Sequence, residues 1–131
     1  MNRLWKLVFV WISLSLVCWS GDASYAQANQ YRIARLAEIE IDPQQPASYK
    51  AALREEIETS LRLEPGVMTL YAASVKDHPE QIRVFEIYAS QAAYQAHLQT
   101  CHFLKYKTGT KNMVRSLKLF ELDAISLDAK K

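Results

Sequence analysis

Phe85-Glu86-Ile87-Tyr88-Ala89-Ser90 leads straight into Gln91-Ala92-Ala93-Tyr94-Gln95-Ala96-His97, and the stretch closes on Cys101-His102-Phe103. Its first part alternates and reads as a β-strand, with Glu86 and Tyr88 two apart and therefore on one face. Ser90 then suits a helix N-cap, its hydroxyl accepting an orphan backbone N–H. The helix that follows is expected to run through Ala93, His97, Cys101 and Leu104, flanked by Tyr94 and Leu98, and to bend before Thr108-Gly109-Thr110. Only one serine separates strand from helix. The junction therefore gathers Glu86, Tyr88, Tyr94, His97 and His102, the densest group of proton-handling side chains in the chain.

Working outward, Tyr31 to Ile41 alternates as a strand, with a slip in the period-2 order near Ala34. Asp42-Pro43-Gln44-Gln45-Pro46 breaks it, and Pro46 can open a helix. Tyr49, Leu53, Ile57 and Leu61 recur every fourth residue, with Ala52 and Ser60 beside them and Arg54, Glu55, Glu58 and Arg62 outward. Leu63-Glu64-Pro65-Gly66 should end that helix, because Pro65 disfavours the α region for Glu64 and Gly66 permits a positive φ. Val67 to Val75 is a second strand, Lys76 to Glu80 a turn, and Gln81 to Ala89 the antiparallel return. Val114 to Ile125 is the last strand, before a loose polar tail at 125–131. The resulting order, β-α-β-β-α-β, is the ferredoxin-like α+β arrangement. Helices cover one face of such a sheet, and the other face is also apolar here. An exposed patch of that size marks an interface, so a homodimer joined sheet to sheet is expected.

The 131 residues allow one domain. A basic start, an apolar run from Leu7 to Trp19 and small residues ending at Ala26 or Ala28 make a signal-peptide pattern. Residues 1–26 are read as that signal, with a cut after 28 also fitting, and residues 31–124 as the domain. The apolar run is short for a membrane span, which needs about 20 residues, so no stable anchor is expected after cleavage. The bulky Val17 before Cys18 weighs against a lipoprotein. The expected product is exported, to the periplasm or beyond the cell. Of 16 basic and 14 acidic residues, Arg3, Lys6 and Asp22 leave with the signal, so the remaining balance is near +1. That argues against a nucleic-acid binder working through a strong basic field. Cys101 is then the one cysteine, so an internal disulfide is excluded, and it is expected to point inward. All three tryptophans leave as well.

Glu64-Pro65-Gly66-Val67, Val84-Phe85-Glu86-Ile87-Tyr88, and the run from Ala92-Ala93-Tyr94 through His97 to His102-Phe103 resemble the antibiotic biosynthesis monooxygenase (ABM) domain. The resemblance covers about residues 31–124. It implies a dimeric α+β barrel and a choice among cofactor-independent oxygenation of quinols and polyphenolic anthrones, haem degradation, and sugar-phosphate isomerisation; fold alone does not decide between them. Haem-degrading relatives use an asparagine on the first strand, a tryptophan on the third and a helical histidine. Here only His97 matches.

Oxygenation without a cofactor requires a base, a donor for the substrate oxyanion and a dry pocket. His97 fits the base, since an unperturbed imidazole titrates at about 6.5. Glu86 could orient or charge-balance it, and Tyr88 or Tyr94 could donate to the substrate oxygen; His97, Glu86 and Tyr88 are the candidate catalytic residues. Tyr94, His102, Phe103 and Phe85 are the candidate substrate contacts. The substrate would be a small quinol-like or phenolic aromatic, with O₂ as co-substrate and no cofactor or metal. Each residue has a plainer reading: His97 a hydrogen-bonded core histidine, Glu86 a structural anchor, the tyrosines packing groups, Glu64-Pro65-Gly66 turn chemistry, and Lys105, Lys107, Lys111, Arg115 and Lys118 solvated surface. A non-catalytic ligand-binding dimer and a proton-transfer isomerase are the competing functions. A metal held by His97, His102 and Glu86 is disfavoured, because a spacing of five turns the imidazoles about 140° apart on an unbroken helix.

Overall fold

The computed structural model describes residues 32–128. The segment read as a signal peptide lies outside them. Four strands, β1 (Ile33–Ile41), β2 (Val67–Val75), β3 (His78–Tyr88) and β4 (Val114–Leu122), form one antiparallel sheet in the order β2-β3-β1-β4. Three helices, α1 (Pro46–Leu63), α2 (Gln91–His97) and α3 (Cys101–Thr110), complete a β-α-β-β-α-α-β chain, the expected ferredoxin-like α+β fold with its second helix divided in two.

Pairing of Ala37 with Val84, Ile39 with Ile82 and Arg35 with Glu86 sets the faces of the sheet. Ala37, Ile39, Ile41, Ile82 and Val84 meet Tyr49 and Leu53 of α1 in the main core. Glu86 and Tyr88 share the parity of Val84 and so stand on this helix-facing side. Register across the sheet aligns Tyr71, Phe85, Leu36 and Phe120 on the opposite face, where Tyr71 is 70% and Phe120 43% exposed. No described element covers that face.

Several local expectations shift. β1 pairs with β3 in regular register through Ala34, and the irregularity lies instead at Glu40/Ile41, against β4. The β2–β3 turn is only Lys76-Asp77, with Asp77 at φ 65°, so His78 and Pro79 already belong to β3. Gly66 does not take a positive φ. It is required for close approach, since a Cβ there would stand 2.6 Å from the Cβ of Ala93. Along α1 the buried stripe is Tyr49, Leu53, Glu56 and Ser60, while Leu61 is 46% exposed. A strict four-residue step gains about 40° per step on a 3.6-residue helix, which swings Leu61 to solvent and brings Glu56 inward.

The divided helix matters most for the site. Thr100 interrupts it with extended backbone, accepting from the N–H of Phe103 and donating its own hydroxyl to the carbonyl of His97. This is an N-cap that restarts the helix along a new axis. The apolar phase is reset, so Phe103, Tyr106 and Thr110 turn inward, whereas Leu104 is exposed. Cys101, expected inward, is exposed for the same reason.

Candidate functional site

The sheet's helix-facing side and the three helices enclose a cavity of about 380 Å³. Glu86 and Tyr88 of β3, Tyr94 and His97 of α2, Phe103 and Tyr106 of α3, and Tyr49 and Glu56 of α1 line it, with Val84, Leu70, Leu117 and Leu119 among the apolar walls. His97, Tyr88 and Glu56, all buried, form its deep end. The three candidate catalytic residues thus share one cavity, as do Tyr94 and Phe103. Phe85 does not: it stands on the opposite face of the sheet. His102 lies just behind the wall and reaches the site through another residue.

That residue is Glu64, which the sequence reading assigns to turn chemistry. Pro65 holds Glu64 in extended backbone at the end of α1, at φ −112° and ψ 99°. Its carboxylate is thereby aimed at both histidines, with Oε1 at 3.1 Å from His97 Nδ1 and 2.5 Å from His102 Nε2. Burial works to raise the Glu64 carboxyl, but hydrogen bonds from His102 and His97 outweigh it and hold the group below the usual range. An ionised carboxylate only accepts, so both facing ring nitrogens carry protons. This assigns His97 as the Nδ1–H tautomer and leaves Nε2 as its basic nitrogen. Nε2 looks toward Glu56, whose Oε1 is 3.6 Å away. The helix break makes the convergence possible, and the hydrogen bond to His97 is made by Glu64 and not by Glu86, whose charge still feels the imidazole.

Two other carboxyls face the cavity. Burial pushes Glu56 above the usual carboxylate value against the opposing Ser60 hydroxyl, which donates to Oε1 at 2.7 Å. Burial likewise raises Glu86, opposed first by the Tyr88 hydroxyl, which donates to Oε2 at 3.1 Å. The Tyr88 phenol is pushed up, by burial and then by Glu86. Arg35, cross-strand from Glu86, sets its guanidinium over the Tyr94 ring at 4.4 Å from the centroid. The register of β1 against β3 thus puts Arg35 beside the site.

The aromatic rings of Tyr94, Tyr88, His97 and Phe103 follow one another with centroids 5.1, 5.4 and 4.7 Å apart. They form a wall against which a planar aromatic ligand can stack. One atom each from Glu64, His97 and His102 lie within 4.8 Å of one another, as three ligands to a metal ion would. Their shortest separations are hydrogen-bond distances between matched donors and acceptors, so the cluster reads as a hydrogen-bonded hub. The arrangement as a whole can take a proton at His97 Nε2, donate one from a tyrosine, and exclude water from a bound ring.

An α+β ferredoxin-like domain with an acid–base cluster between sheet and helices defines the class. The profile of the family described as antibiotic biosynthesis monooxygenase matches residues 32–109. The chain belongs to that family. Among solved structures it resembles a candidate antibiotic biosynthesis monooxygenase from Bacteroides thetaiotaomicron at 45% identity and TM-score 0.76, covering 79% of this chain and 98% of that one. A candidate monooxygenase from Lactobacillus acidophilus matches at 28% identity and TM-score 0.70, over 71% of this chain and 44% of that one. A candidate antibiotic biosynthesis monooxygenase from Nitrosomonas europaea shares the fold at 21% identity and TM-score 0.68, over 72% and 91% of the two chains. No curated protein matches the chain significantly.

Proposed function

We propose that this chain is an exported, cofactor-independent monooxygenase that oxidises a small quinol-like or phenolic aromatic with O₂. The observation that carries the reading is the Glu64–His97 pair at the deep end of an aromatic-lined cavity, with Nδ1–H committed to the carboxylate and Nε2 left free to accept a proton. Family membership supports the reaction class.

A bound hydroquinone is oxidised at the ring carbon beside its ionised oxygen. His97 Nε2 takes a phenolic proton, and the imidazolium is stabilised by Glu64. The electron-rich anion passes one electron to O₂. The resulting radical pair joins at the ring carbon beside the oxyanion, forming a C–O bond and a peroxide anion, which the imidazolium protonates to a hydroperoxide. His97 Nε2 then takes the proton from that carbon as the O–O bond breaks, and passes it to the departing hydroxide, which leaves as water. The product is the hydroxyquinone, with one oxygen atom in the ring and one in water. Tyr94 steadies the phenolate oxygen as charge develops, and Tyr88 does so only by turning its one proton away from Glu86.

The same reading includes a homodimer. The uncovered row of Tyr71, Phe85, Leu36 and Phe120 supports packing of two sheets face to face. Sedimentation velocity should give a dimer, and a monomer at micromolar concentration would remove this part of the reading. The enzymatic part is tested by oxygen uptake with menadiol or a comparable hydroquinone, corrected for autoxidation. Turnover above background that His97→Ala reduces by about 10²–10⁴-fold is the expected result. No turnover across a hydroquinone panel, with His97→Ala equal to wild type, would leave a ligand-binding dimer.

A further inference from the structure

We propose that the mouth of the cavity is an anion subsite, built from Lys107 and Lys111, so that the ligand is a phenolic ring bearing a carboxylate or a chemically similar acidic group. The inference rests on the reading of the cavity as a phenol site and adds the substrate class.

Both lysines line the cavity. They are four apart, at the last turn of α3 and its cap, and therefore on one side of the helix. Like charges at that spacing disfavour a helix, so an anion between them relieves a repulsion. Their cationic neighbours are occupied: Lys105 pairs with Glu55 at 2.6 Å and Arg115 with Asp42 at 3.1 Å. Among the described residues neither Lys107 nor Lys111 has a carboxylate within ion-pair distance. Lys107 Nζ lies 5.9 Å from the centroid of the Phe103 ring, which places its charge over the cavity's aromatic wall.

The two ends of the cavity differ in chemistry. Glu56 and Glu86 sit at the deep end with His97, whereas Lys107 and Lys111 are exposed at the rim beside the exposed Leu117 and Leu119 of β4. An acidic substituent loses its hydration at the buried deep end, where it meets further acidic groups, and is drawn instead to the ammonium groups at the rim. A ring carrying one therefore enters phenol first, which delivers the hydroxyl to His97 and leaves the anion at the rim. The same polarity makes the reversed orientation unfavourable, so the lysines select orientation as well as ligand.

The test is anaerobic equilibrium dialysis of the full chain against 2,5-dihydroxybenzoate, 2,5-dihydroxybenzenesulfonate and neutral methylhydroquinone. Both anions should bind about five- to tenfold more tightly than methylhydroquinone at low salt. That margin should contract as ionic strength rises. A Lys107→Gln/Lys111→Gln double variant should abolish it, leaving the methylhydroquinone Kd and the melting temperature unchanged. Preference for the carboxylate alone, or for both anions, identifies the acidic group. Equal binding of all three probes, or a preference that survives the double substitution, overturns the inference and leaves the lysines as cations serving the helix C-terminus. Binding without O₂ is blind to the base chemistry. Anion preference with no oxygen uptake would overturn only the proposed reaction; uptake with methylhydroquinone and no anion preference would overturn only the subsite.

Discussion

Replacing Glu64 by Gln keeps the shape of the hub and removes its charge. The wild-type carboxylate accepts from two imidazole N–H groups at once. Both imidazoles meet the same oxygen, Oε1, and His97 Nδ1 also lies 3.2 Å from Oε2. If the Gln carbonyl takes the Oε1 position it accepts from both rings, and His97 keeps its tautomer but loses the anion that stabilises its charged form. If the NH₂ takes that position it presents a donor to both, and His97 is driven to the opposite tautomer, with Nε2 protonated and no longer a base. Hydrogen bonds to charged groups contribute about 1.5–3 kcal/mol, which corresponds to a fall in kcat of about 10- to 150-fold. The assay is autoxidation-corrected oxygen uptake with menadiol, on protein whose fold is verified by circular dichroism. Imidazole ¹⁵N shifts read the tautomer of His97 directly. A folded variant with kcat within twofold of wild type would refute the argument that Glu64 prepares His97. His102→Gln, whose amide N–H can still donate to Glu64, should cost less than Glu64→Gln.

Gly66→Ala should destabilise by about 1–3 kcal/mol through the clash with Ala93, whereas Gly109→Ala, with open space around it in α3, should be neutral or stabilising by up to about 1 kcal/mol; paired chemical denaturation checks both. Burial raises Glu56, so the folded carboxyl holds its proton after the unfolded one, with its ordinary value of 4.5, has released it; stability therefore falls as pH rises through that interval, and Glu56→Gln should flatten the decline measured by urea titration across pH 4–8. Glu64 has the opposite sign, its lowered value making its contribution full above 4.5 and lost as pH falls below. Dialysis against a chelator, with metal content followed by mass spectrometry, should leave oxygen uptake unchanged; a loss restored by a divalent ion would overturn the cofactor-independent reaction.

Much of the architecture was legible because alternation and helical spacing are local geometry. Glu86 and Tyr88 had to share a face once β3 was a strand, and Pro46 and Pro65 marked both ends of α1. The position of Thr100 was also visible. A capping residue lies between His97 and His102, and reading it as a second N-cap would have divided the helix and corrected Cys101 and Leu104. Glu56 was within reach as well, through a 3.6-residue stripe in place of a four-residue one.

Sequence patterning alone established the β-α-β-β-α-β order, short of the division in its second helix, and the strand–helix junction that carries Tyr88, Tyr94 and His97, since each follows from the preferences of neighbouring residues; the family came from the resemblance of short motifs. The partnership of Glu64 with His97, 33 residues away, belongs to the packed molecule. It exists because α1 ends against a helix pair whose axis changes at Thr100, and no spacing along the chain encodes the angle at which those bodies meet. The burial that raises Glu56 and Glu86 has the same origin: it comes from the walls placed around them, which are distant in sequence.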